Sequence, residues 1–466
     1  MKTNRPFKLL SAALAIGVFS LPGGTIRAQE PALPDAPKPE LMAQAGPNPA
    51  PPSEPPASVA GPKLTLADAE GMAIERNPNV SIARLLQLAQ VQVTREVRSA
   101  EMPTAFSDLT AVGAHENSRI TAGALNNPTI YDRAAGGLTV EQLITDFGRT
   151  HNLVKSAQSN TRAQLESERA SELDIKLAVD QAFYQALTAQ SLLKVAQQTV
   201  RTRQATDQQI GALTQSKLRS TLDLSLADVQ VSQARLLVID AQNALASDMA
   251  ALNAILGSDA DTPYELVDET PANPQPAPAT SEDLVQLAFQ ARPDLLALQD
   301  RSLAAKQFSS AEHDLMRPTI SALAAAGGTP VRADQILSSW YGAAGANINI
   351  PVFNGFEYTA RAKEADLRAS AAQEQVRNLR DNIARDVRTA VLNAQNAFKR
   401  IAVTQELLNE ANTALELAQA RYKVGLSGIV DLTESQLAQT QAEIDVTNAR
   451  FAYQTALAVV RYEIGQ

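Results

Sequence analysis

The side chains that most often carry out chemistry in proteins are sparse in this chain and do not converge on a reaction. The 466 residues include no cysteine, which excludes thiol catalysis, disulfides and a lipid-modified N-terminal cysteine. The three histidines, His115, His151 and His313, share no metal-ligand spacing. No phosphate loop, nucleophile elbow or coherent acid–base pair is present. The sequence therefore predicts a protein that is not an enzyme and that binds no metal or cofactor.

Three carboxylates stand out by their positions in the chain. Asp223 and Asp431 lie 208 residues apart at equivalent positions of similar segments, and Glu434 follows Asp431 by three residues. A spacing of three places Asp431 and Glu434 on one face of a helix. The alternative for all three is a solvated or capped helix start, because acidic residues favour the first helical turn. Their role depends on the elements that position them.

The chain consists of two copies of one long unit. At an offset of 208, Asp146 aligns with Asn354 and Gly257 aligns with Gly465. Upstream of these turns the offset becomes 215, so the first copy and the second differ in length by seven residues. Each copy is a supersecondary unit that must stack on another to bury its apolar face.

The N-terminal region has the composition of segments that do not fold. Residues 1–28 combine a basic start, an apolar run and a small-residue cleavage site, which is typical of a secretory signal peptide. Residues 29–63 hold 11 of the 25 prolines and predict a disordered leader. A second Pro-rich stretch, 268–280, predicts the linker between the copies. Without residues 1–28, which carry four basic residues and no acidic one, the net charge changes from −9 to −13 and disfavours nucleic acid as a partner.

Each copy is predicted to contain short helices, a β-hairpin and a helical hairpin, so the fold class is mostly α with a small β part. The predicted segments are a β-hairpin at 104–145 and a helical hairpin at 149–257 in the first repeat (64–267), and a β-hairpin at 319–352 and a helical hairpin at 357–465 in the second repeat (281–466). Loops between the paired strands are expected at 126–128 and 327–330, where Gly, Asn and Pro cluster.

The two helical hairpins are unusually long. Neither contains a proline. Apart from the glycine that ends each hairpin, the first contains Gly211 and the second contains Gly425 and Gly428. Each hairpin therefore folds back once, near these residues. The ascending arm of the first, 149–213, would measure about 98 Å at roughly 1.5 Å per residue.

Helices of this length need partner helices along their whole length. A coiled-coil heptad with alternating spacings of three and four is visible in the second copy. Its positions are Ile401, Thr404, Leu408, Ala411, Leu415, Ala418 and Tyr422. In the first copy Arg203 and Asp207 interrupt the corresponding seam, which predicts looser or partly water-facing packing there.

This pattern resembles the TolC-like outer membrane efflux proteins over nearly the whole chain from residue 64. The resemblance is carried by the turns after the strands, 143–148 and 351–356, and by the hairpin tips, 218–224 and 422–432. It implies a homotrimer in which four strands per chain form a twelve-stranded transmembrane β-barrel, continued by a coiled-coil α-barrel of twelve helices. A barrel leaves no strand edge unpaired in lipid, and four strands alone could not close one.

The resemblance also implies function and partners. It implies an exit channel of a tripartite efflux pump or a type I secretion system, which conducts substrates passively from a periplasmic adaptor and an inner-membrane pump. The location would be the outer membrane of a Gram-negative-type cell, in contact with its lipid, with a long periplasmic extension. The alternative is a periplasmic coiled-coil scaffold or adhesin without a pore.

The family closes its periplasmic end with a gate at the hairpin tips. Tyr422 lies where the family has an aromatic gate residue, and Asp223 resembles its acidic partner. Ser427 stands where some members have a gate arginine, and Arg219, its equivalent in the first copy, would substitute for it in part. The alternative for Tyr422 is a seam residue that fills space between helices.

Two further sets of residues follow from the resemblance. In a trimer, Asp431 and Glu434 would form stacked carboxylate rings that attract cations into a narrow pore. The tips resemble the grooves that meet the adaptor, although glycines also suit a tight turn for their backbone freedom alone. The candidate adaptor-docking residues are Val424, Gly425, Leu426, Ser216, Lys217 and Leu218.

Overall fold

The computed structural model describes residues 61–113, 115, 132–258, 260, 262–271, 273–331 and 338–466. The predicted signal peptide, 1–28, lies outside the described residues. The predicted leader, 29–63, lies outside them except for its last three residues. The predicted loop at 126–128 also lies outside them.

The element order in each copy is two short helices, two strands and two long helices. The helices are α1 (Leu66–Arg76), α2 (Pro78–Ser99), α3 (Arg149–Gln215), α4 (Thr221–Ile255), α5 (Glu282–Ala291), α6 (Pro293–His313), α7 (Glu357–Lys423) and α8 (Ile429–Glu463). The strands are β1 (Lys63–Leu64), β2 (Thr104–Val112), β3 (Arg133–Thr145), β4 (Glu265–Leu266), β5 (Thr319–Val331) and β6 (Trp340–Asn349). The fold is mostly helical with a small β part, as predicted.

The two copies fold alike. Helices α3 and α7 are each 67 residues long, and their antiparallel partners α4 and α8 are each 35 residues long. Apolar residues separated by 208 positions occupy equivalent places in two buried cores. Examples are Val179 and Val387, Phe183 and Val391, and Leu252 and Val460.

The long helices are supported along their length by other helices. Helix α3 packs against α2, α4, α6 and α8, and α7 packs against α5, α6 and α8. The heptad predicted in α7 is confirmed by burial. Ala411, Ala418 and Tyr422 are buried and the other four seam positions are half-buried, while most residues between them are exposed.

Two helices, α4 and α2, lie end to end along α3 and together form one line of helix beside it. Helix α4 runs beside the half of α3 near the hairpin tip, where Gln185 donates to Asp248 at 2.9 Å. Helix α2 runs beside the other half, where the Thr94 hydroxyl donates to the Ala157 carbonyl at 3.0 Å. At the junction, the side chain of Asn77 caps α2 and also donates to the carbonyl of Ile255 at 2.8 Å. The end of α4 is thereby attached to the start of α2.

Glycine is required where these ends meet. Gly257, just beyond α4, has φ +71°, and a Cβ atom there would lie 2.8 Å from the carbonyl oxygen of Arg76. Gly465, just beyond α8, has φ +80°, and a Cβ atom would lie 2.8 Å from the carbonyl carbon of Ala291. In the second copy Arg292 also forms an ion pair with Glu463. The same end-to-end junction is therefore built in both copies.

The four longer strands form one antiparallel sheet in the order β2-β3-β5-β6. The loop expected at 327–330 is wrong, because β5 continues through it to Val331. Proline normally interrupts a strand because it has no amide hydrogen to donate. Here Pro330 lies at an irregularity, where the β3–β5 pairing shifts between Gly136↔Gly328 and Ala134↔Val331, so no ladder hydrogen bond from it is needed.

A short parallel strand pair joins the start of the first copy to the segment that follows α4. Lys63, at the end of the predicted leader, lies in β1, which pairs in parallel with β4 through Lys63↔Glu265 and Leu64↔Leu266. Within the described residues, none of the helices has both the length and the hydropathy needed to cross a membrane.

A buried carboxylate lies where α1, α3 and α8 meet. Asp180 is 3% exposed, and its Oδ2 accepts from Arg461 at 3.2 Å. Its Oδ1 is buried and meets no hydrogen-bond donor among the described residues. Glu70 lies beside it and pairs with Lys176 at 3.4 Å. Burial first, and then Glu70, raise the pKa of Asp180 to about 7 against the opposing charges of Arg461 and Lys176.

This carboxylate predicts a pH dependence of stability. The folded protein keeps a proton on Asp180 up to about pH 7, whereas an unfolded aspartate releases it near its ordinary pKa of 3.8. The free energy of unfolding should therefore fall as pH rises between these two values. Thermal unfolding midpoints in detergent, measured from pH 4.5 to 8, should show this slope in the wild type and a shallower one in Asp180→Asn. Asp240→Asn, an exposed carboxyl on α4, is the control, and equal slopes in wild type and Asp180→Asn would contradict the expectation.

Candidate functional site at the hairpin tips

The two hairpin tips are five-residue turns, 216–220 and 424–428, with similar backbones. Lys217 with φ 60° and Gly425 with φ 80° occupy equivalent left-handed positions. In each tip the next amide donates to the carbonyl five residues earlier, at 2.9 Å, which closes the end of the preceding helix. The tips therefore share a frame despite their different residues.

The starts of the descending helices differ. Ser220 caps α4, because its Oγ accepts from the Asp223 amide at 3.2 Å and lies 3.0 Å from the Asp223 carboxylate. Gly428 precedes α8 and provides no side-chain cap. Asp223 thus takes part in capping the start of α4, which was the alternative to a gate role.

An apolar cluster joins the two hairpins just above the tips. It consists of Ile210, Ala227, Tyr422, Ile429 and Leu432. Ile210 and Ala227 come from the first hairpin, and the other three come from the second. Tyr422 therefore fills space between the helices, as the seam alternative predicts, since it is 5% exposed and packs in this cluster.

Arg219 crosses from the first tip to the second hairpin. Its guanidinium carbon lies 4.1 Å from the centroid of the Tyr422 ring, a cation–π contact. Its Nη2 also donates to the Tyr422 backbone carbonyl. The structure therefore brings together Arg219 and Tyr422, which the family resemblance predicts to belong to one gate.

Two hydroxyl groups at the tips are buried without a hydrogen-bond partner among the described residues. They are the phenol of Tyr422 and the Oγ of Ser427. Burial, and then the negative charge of Asp223, raise the pKa of the Tyr422 phenol, while Arg219 acts in the opposite direction. Since buried polar groups are nearly always hydrogen-bonded, both hydroxyls have unused hydrogen-bonding capacity in this arrangement of the tips.

The remaining predicted residues lie on the surface. Asp431 and Glu434 are both exposed, near the start of α8. Among the candidate docking residues, Leu218 is 70%, Val424 69% and Leu426 72% exposed. These apolar side chains, with the exposed Ser216 and Lys217 and the unobstructed Gly425, form the outer surface of the tips.

The prediction of a looser or partly water-facing seam in the first copy is wrong at Arg203. This residue is buried, not water-facing, and donates to the Gln436 carbonyl at 2.7 Å and to the Thr440 hydroxyl at 3.1 Å. The available signal was in α8, where the next two buried positions after Leu432 are polar. Gln436 and Thr440 follow it at spacings of four, so they continue the seam with hydrogen-bonding groups.

Comparison with known proteins matches both copies. Outer membrane efflux proteins match residues 71–258 and 284–466, which is most of the chain. The chain belongs to this family. The resemblance read from the turns and tips is thereby confirmed, and the family is one of outer membrane efflux channels.

Several relatives in this efflux family are similar over most of their length. The cation efflux system protein CusC of Escherichia coli K12 is 24% identical over 348 residues, which covers 72% of this chain and 74% of CusC. The outer membrane protein TolC of Vibrio cholerae is 25% identical over 424 residues, covering 86% and 90%. OprJ of Pseudomonas aeruginosa is 23% identical over 412 residues, covering 85% and 84%.

Solved structures of efflux channels share the fold. A crystal structure of CusC superposes with a TM-score of 0.74 at 20% identity and covers 86% of this chain and 92% of CusC. The outer membrane protein VceC of Vibrio cholerae has a TM-score of 0.74 at 18% identity, with 86% and 96% covered. The arrangement of two strand pairs and two long helical hairpins is therefore that of the family.

The contact between Arg219 and Tyr422 predicts a measurable effect on the resting channel. Arg219→Ala removes the cation–π contact and a charge-assisted hydrogen bond, which together stabilise the joined tips by about 1.5 to 3 kcal/mol. The resting conductance of the reconstituted protein should rise. Arg421→Ala removes an exposed positive charge two residues before Lys423 without touching this contact, and should have a smaller effect. Unchanged resting conductance in Arg219→Ala would exclude a latch at this contact.

Proposed function

We propose that this chain is the outer membrane exit channel of a tripartite efflux pump or a type I secretion system, and that it conducts passively. The observation that carries the proposal is the four-stranded sheet. Its edge strands β2 and β6 lack a neighbour on their outer sides within the described chain. Large apolar side chains project from it, with Leu109 88% and Trp340 71% exposed. A sheet with open edges and apolar surface requires other copies and lipid.

Three copies would supply the missing pairing. Joining β6 of one chain to β2 of the next gives twelve strands, an even number that closes a barrel and pairs every backbone group in lipid. The same symmetry gives twelve helices in the α-barrel, since each chain contributes four: α3, α7, the spliced line α4–α2 and the spliced line α8–α6. The homotrimer, its outer membrane location and its periplasmic extension are parts of this proposal.

The tips would form the gate. Tyr422, Arg219 and Asp223 lie together, and the buried hydroxyl of Ser427 lies in the turn beside them. In a closed trimer the exposed Asp431 and Glu434 would form carboxylate rings that favour cations. Arg219 takes over from the absent gate arginine by holding the ring and carbonyl of Tyr422.

A periplasmic adaptor and an inner-membrane pump would complete the machine. The exposed apolar side chains Leu218, Val424 and Leu426 offer the kind of surface that marks a protein interface. Energy would come from the pump, and no enzymatic activity or cofactor is assigned to this chain.

Current through lipid bilayers tests the channel proposal directly. The purified protein, added to a planar bilayer, should give discrete ionic currents and should extract with outer membranes as a heat-modifiable trimer. A water-soluble trimer without current would favour the scaffold or adhesin instead.

Gly425 tests the docking surface. A Cβ atom at Gly425 would meet no other atom within 4 Å, so a side chain there has room, although φ +80° is strained for an L residue. Gly425→Phe should abolish pump-dependent transport and leave trimer assembly and bilayer current intact. Gly425→Asn is the matched control, because Asn tolerates the left-handed backbone and is small. Normal transport by Gly425→Phe would refute docking at this position.

A further inference from the structure

The two faces of the four-stranded sheet differ in polarity. Successive residues of a strand point to opposite faces. One face of β6 carries Trp340 and Ile348, and Ile348 pairs with Ile320 of β5. Strand β3 continues this face with Leu138, which pairs with Ala326. The polar residues of the opposite face include Thr139, Glu141, Ser321, Asn347 and Asn349. The first face, which is mostly apolar, is the one that suits lipid.

Trp340 locates the edges of the membrane on this apolar face. Tryptophan is enriched at membrane–water interfaces, and Trp340 is 71% exposed at the start of β6. A strand advances about 3.4 Å per residue, and the strands of membrane barrels tilt by about 40°. Ile348 would therefore lie roughly 21 Å deeper than Trp340, and Ile350 roughly 26 Å deeper. Since the apolar band of such barrels is about 25 Å tall, its inner edge falls at Ile350.

The turn that follows Ile350 is the most apolar exposed turn beside the sheet. Val352 is 92% exposed, Phe353 77% and Phe356 73%. The rings of Phe353 and Phe356 meet edge to face, with their centroids 5.6 Å apart. Helix α7 begins with Glu357, whose side chain is 63% exposed, so the apolar surface ends there. A contiguous exposed apolar surface of this kind marks an interaction site.

The backbone of this turn is strained at the aromatic residue. Phe356 has φ 66°, in the left-handed region that bulky residues rarely adopt. The residue 208 positions earlier is Gly148, with φ 114°. Glycine would therefore suit position 356 better for the backbone alone. A strained phenylalanine that is largely uncovered by the described residues indicates that its ring has a partner outside this chain.

The corresponding turn of the first copy is held differently. Asp146 is buried and accepts from the amide of Thr150 at 2.7 Å. Arg317 donates to the carbonyl of Phe147 at 2.6 Å, and Phe147 is 47% exposed. The first turn is thus tied to the helices, whereas the second presents its apolar side chains outward.

We propose that the turn after β6 is a membrane-interface anchor, in which Val352, Phe353 and Phe356 enter the boundary between lipid headgroups and acyl chains. The proposal rests on the function as an outer membrane channel. Lipid is the partner, because Ile348, Ile350 and Val352 alternate along the chain and so continue the apolar face of the sheet. With Trp340 at the other edge, the anchor fixes the depth at which the channel sits in the membrane.

A spin label in the turn measures this depth directly. Cysteine in place of Val352 accepts a nitroxide in this cysteine-free chain. In phosphatidylcholine–phosphatidylglycerol vesicles, its accessibility to oxygen relative to a water-soluble nickel complex should be that of the headgroup–acyl boundary. Phe353→Ser with Phe356→Gly should lower this ratio towards that of a label at the exposed Ser216 in the hairpin tip. Phe147→Gly is the matched control, because it also removes a phenylalanine from a left-handed position, and it should lower the ratio less.

Folding and assembly are followed separately. Because glycine relieves the left-handed backbone, Phe356→Gly alone should keep or raise the thermal unfolding midpoint in detergent while it lowers the ratio in vesicles. A label at Val352→Cys that lies in water would overturn the anchor, even in a protein that conducts. Loss of the trimer in Phe356→Gly without a change in label depth would also overturn it and assign the turn to a neighbouring chain. A label at the boundary in a protein without bilayer current would overturn the channel function and leave the anchor standing.

Discussion

The need to cover two 67-residue helices with other helices determines most of this structure. A helix about 100 Å long at ~1.5 Å per residue cannot be stable alone in water, because its stability comes mainly from packing of its apolar face. Helix α3 is covered by α2, α4, α6 and α8 in turn. That coverage explains why the chain carries two copies of the unit: α6 and α8 of the second copy pack on the long helix of the first. It also explains the short helices α2 and α6, which cover the parts of the long helices that the 35-residue return arms do not reach.

Much of the fold was predictable because helices that pack along one another have buried residues at regular sequence spacings. The seam from Ile401 to Tyr422 repeats at three and four residues, and more than a hundred residues of each copy lack proline. The strands were harder. Exposed Gly and Ala dilute their alternation, and Pro330 reads as a loop until the irregular pairing that accommodates it is seen. Arg203 was misread because a charged residue on a heptad normally faces water. Only its acceptors, more than 230 residues away on α8, make burial possible, and sequence spacing within one helix contains no information about them.

The two tips have similar backbone conformations but different side chains. Lys217 and Gly425 occupy the same left-handed position, yet one tip carries Arg219 and a serine cap whereas the other carries Ser427 and Gly428. The sequence identified these residues as a set through family resemblance. It did not indicate that Arg219 would lie against the ring and the carbonyl of Tyr422, since the contact joins residues 203 positions apart. Two arginines of the first copy, Arg219 at the tip and Arg203 above it, donate to the second hairpin across the boundary between the two copies.

The junction at Gly257 and Asn77 has a mechanical consequence. Beside the unbroken rod of α3, the line formed by α4 and α2 is spliced, and its two pieces are held by a single side-chain hydrogen bond and a close backbone contact. A spliced member next to a continuous one lets twist or bending accumulate on one side of the splice without being transmitted through it. Strain that arises at the tips can therefore relax within the spliced lines at this level, whereas α3 and α7 continue unbroken from the tips to the segments that carry the sheet.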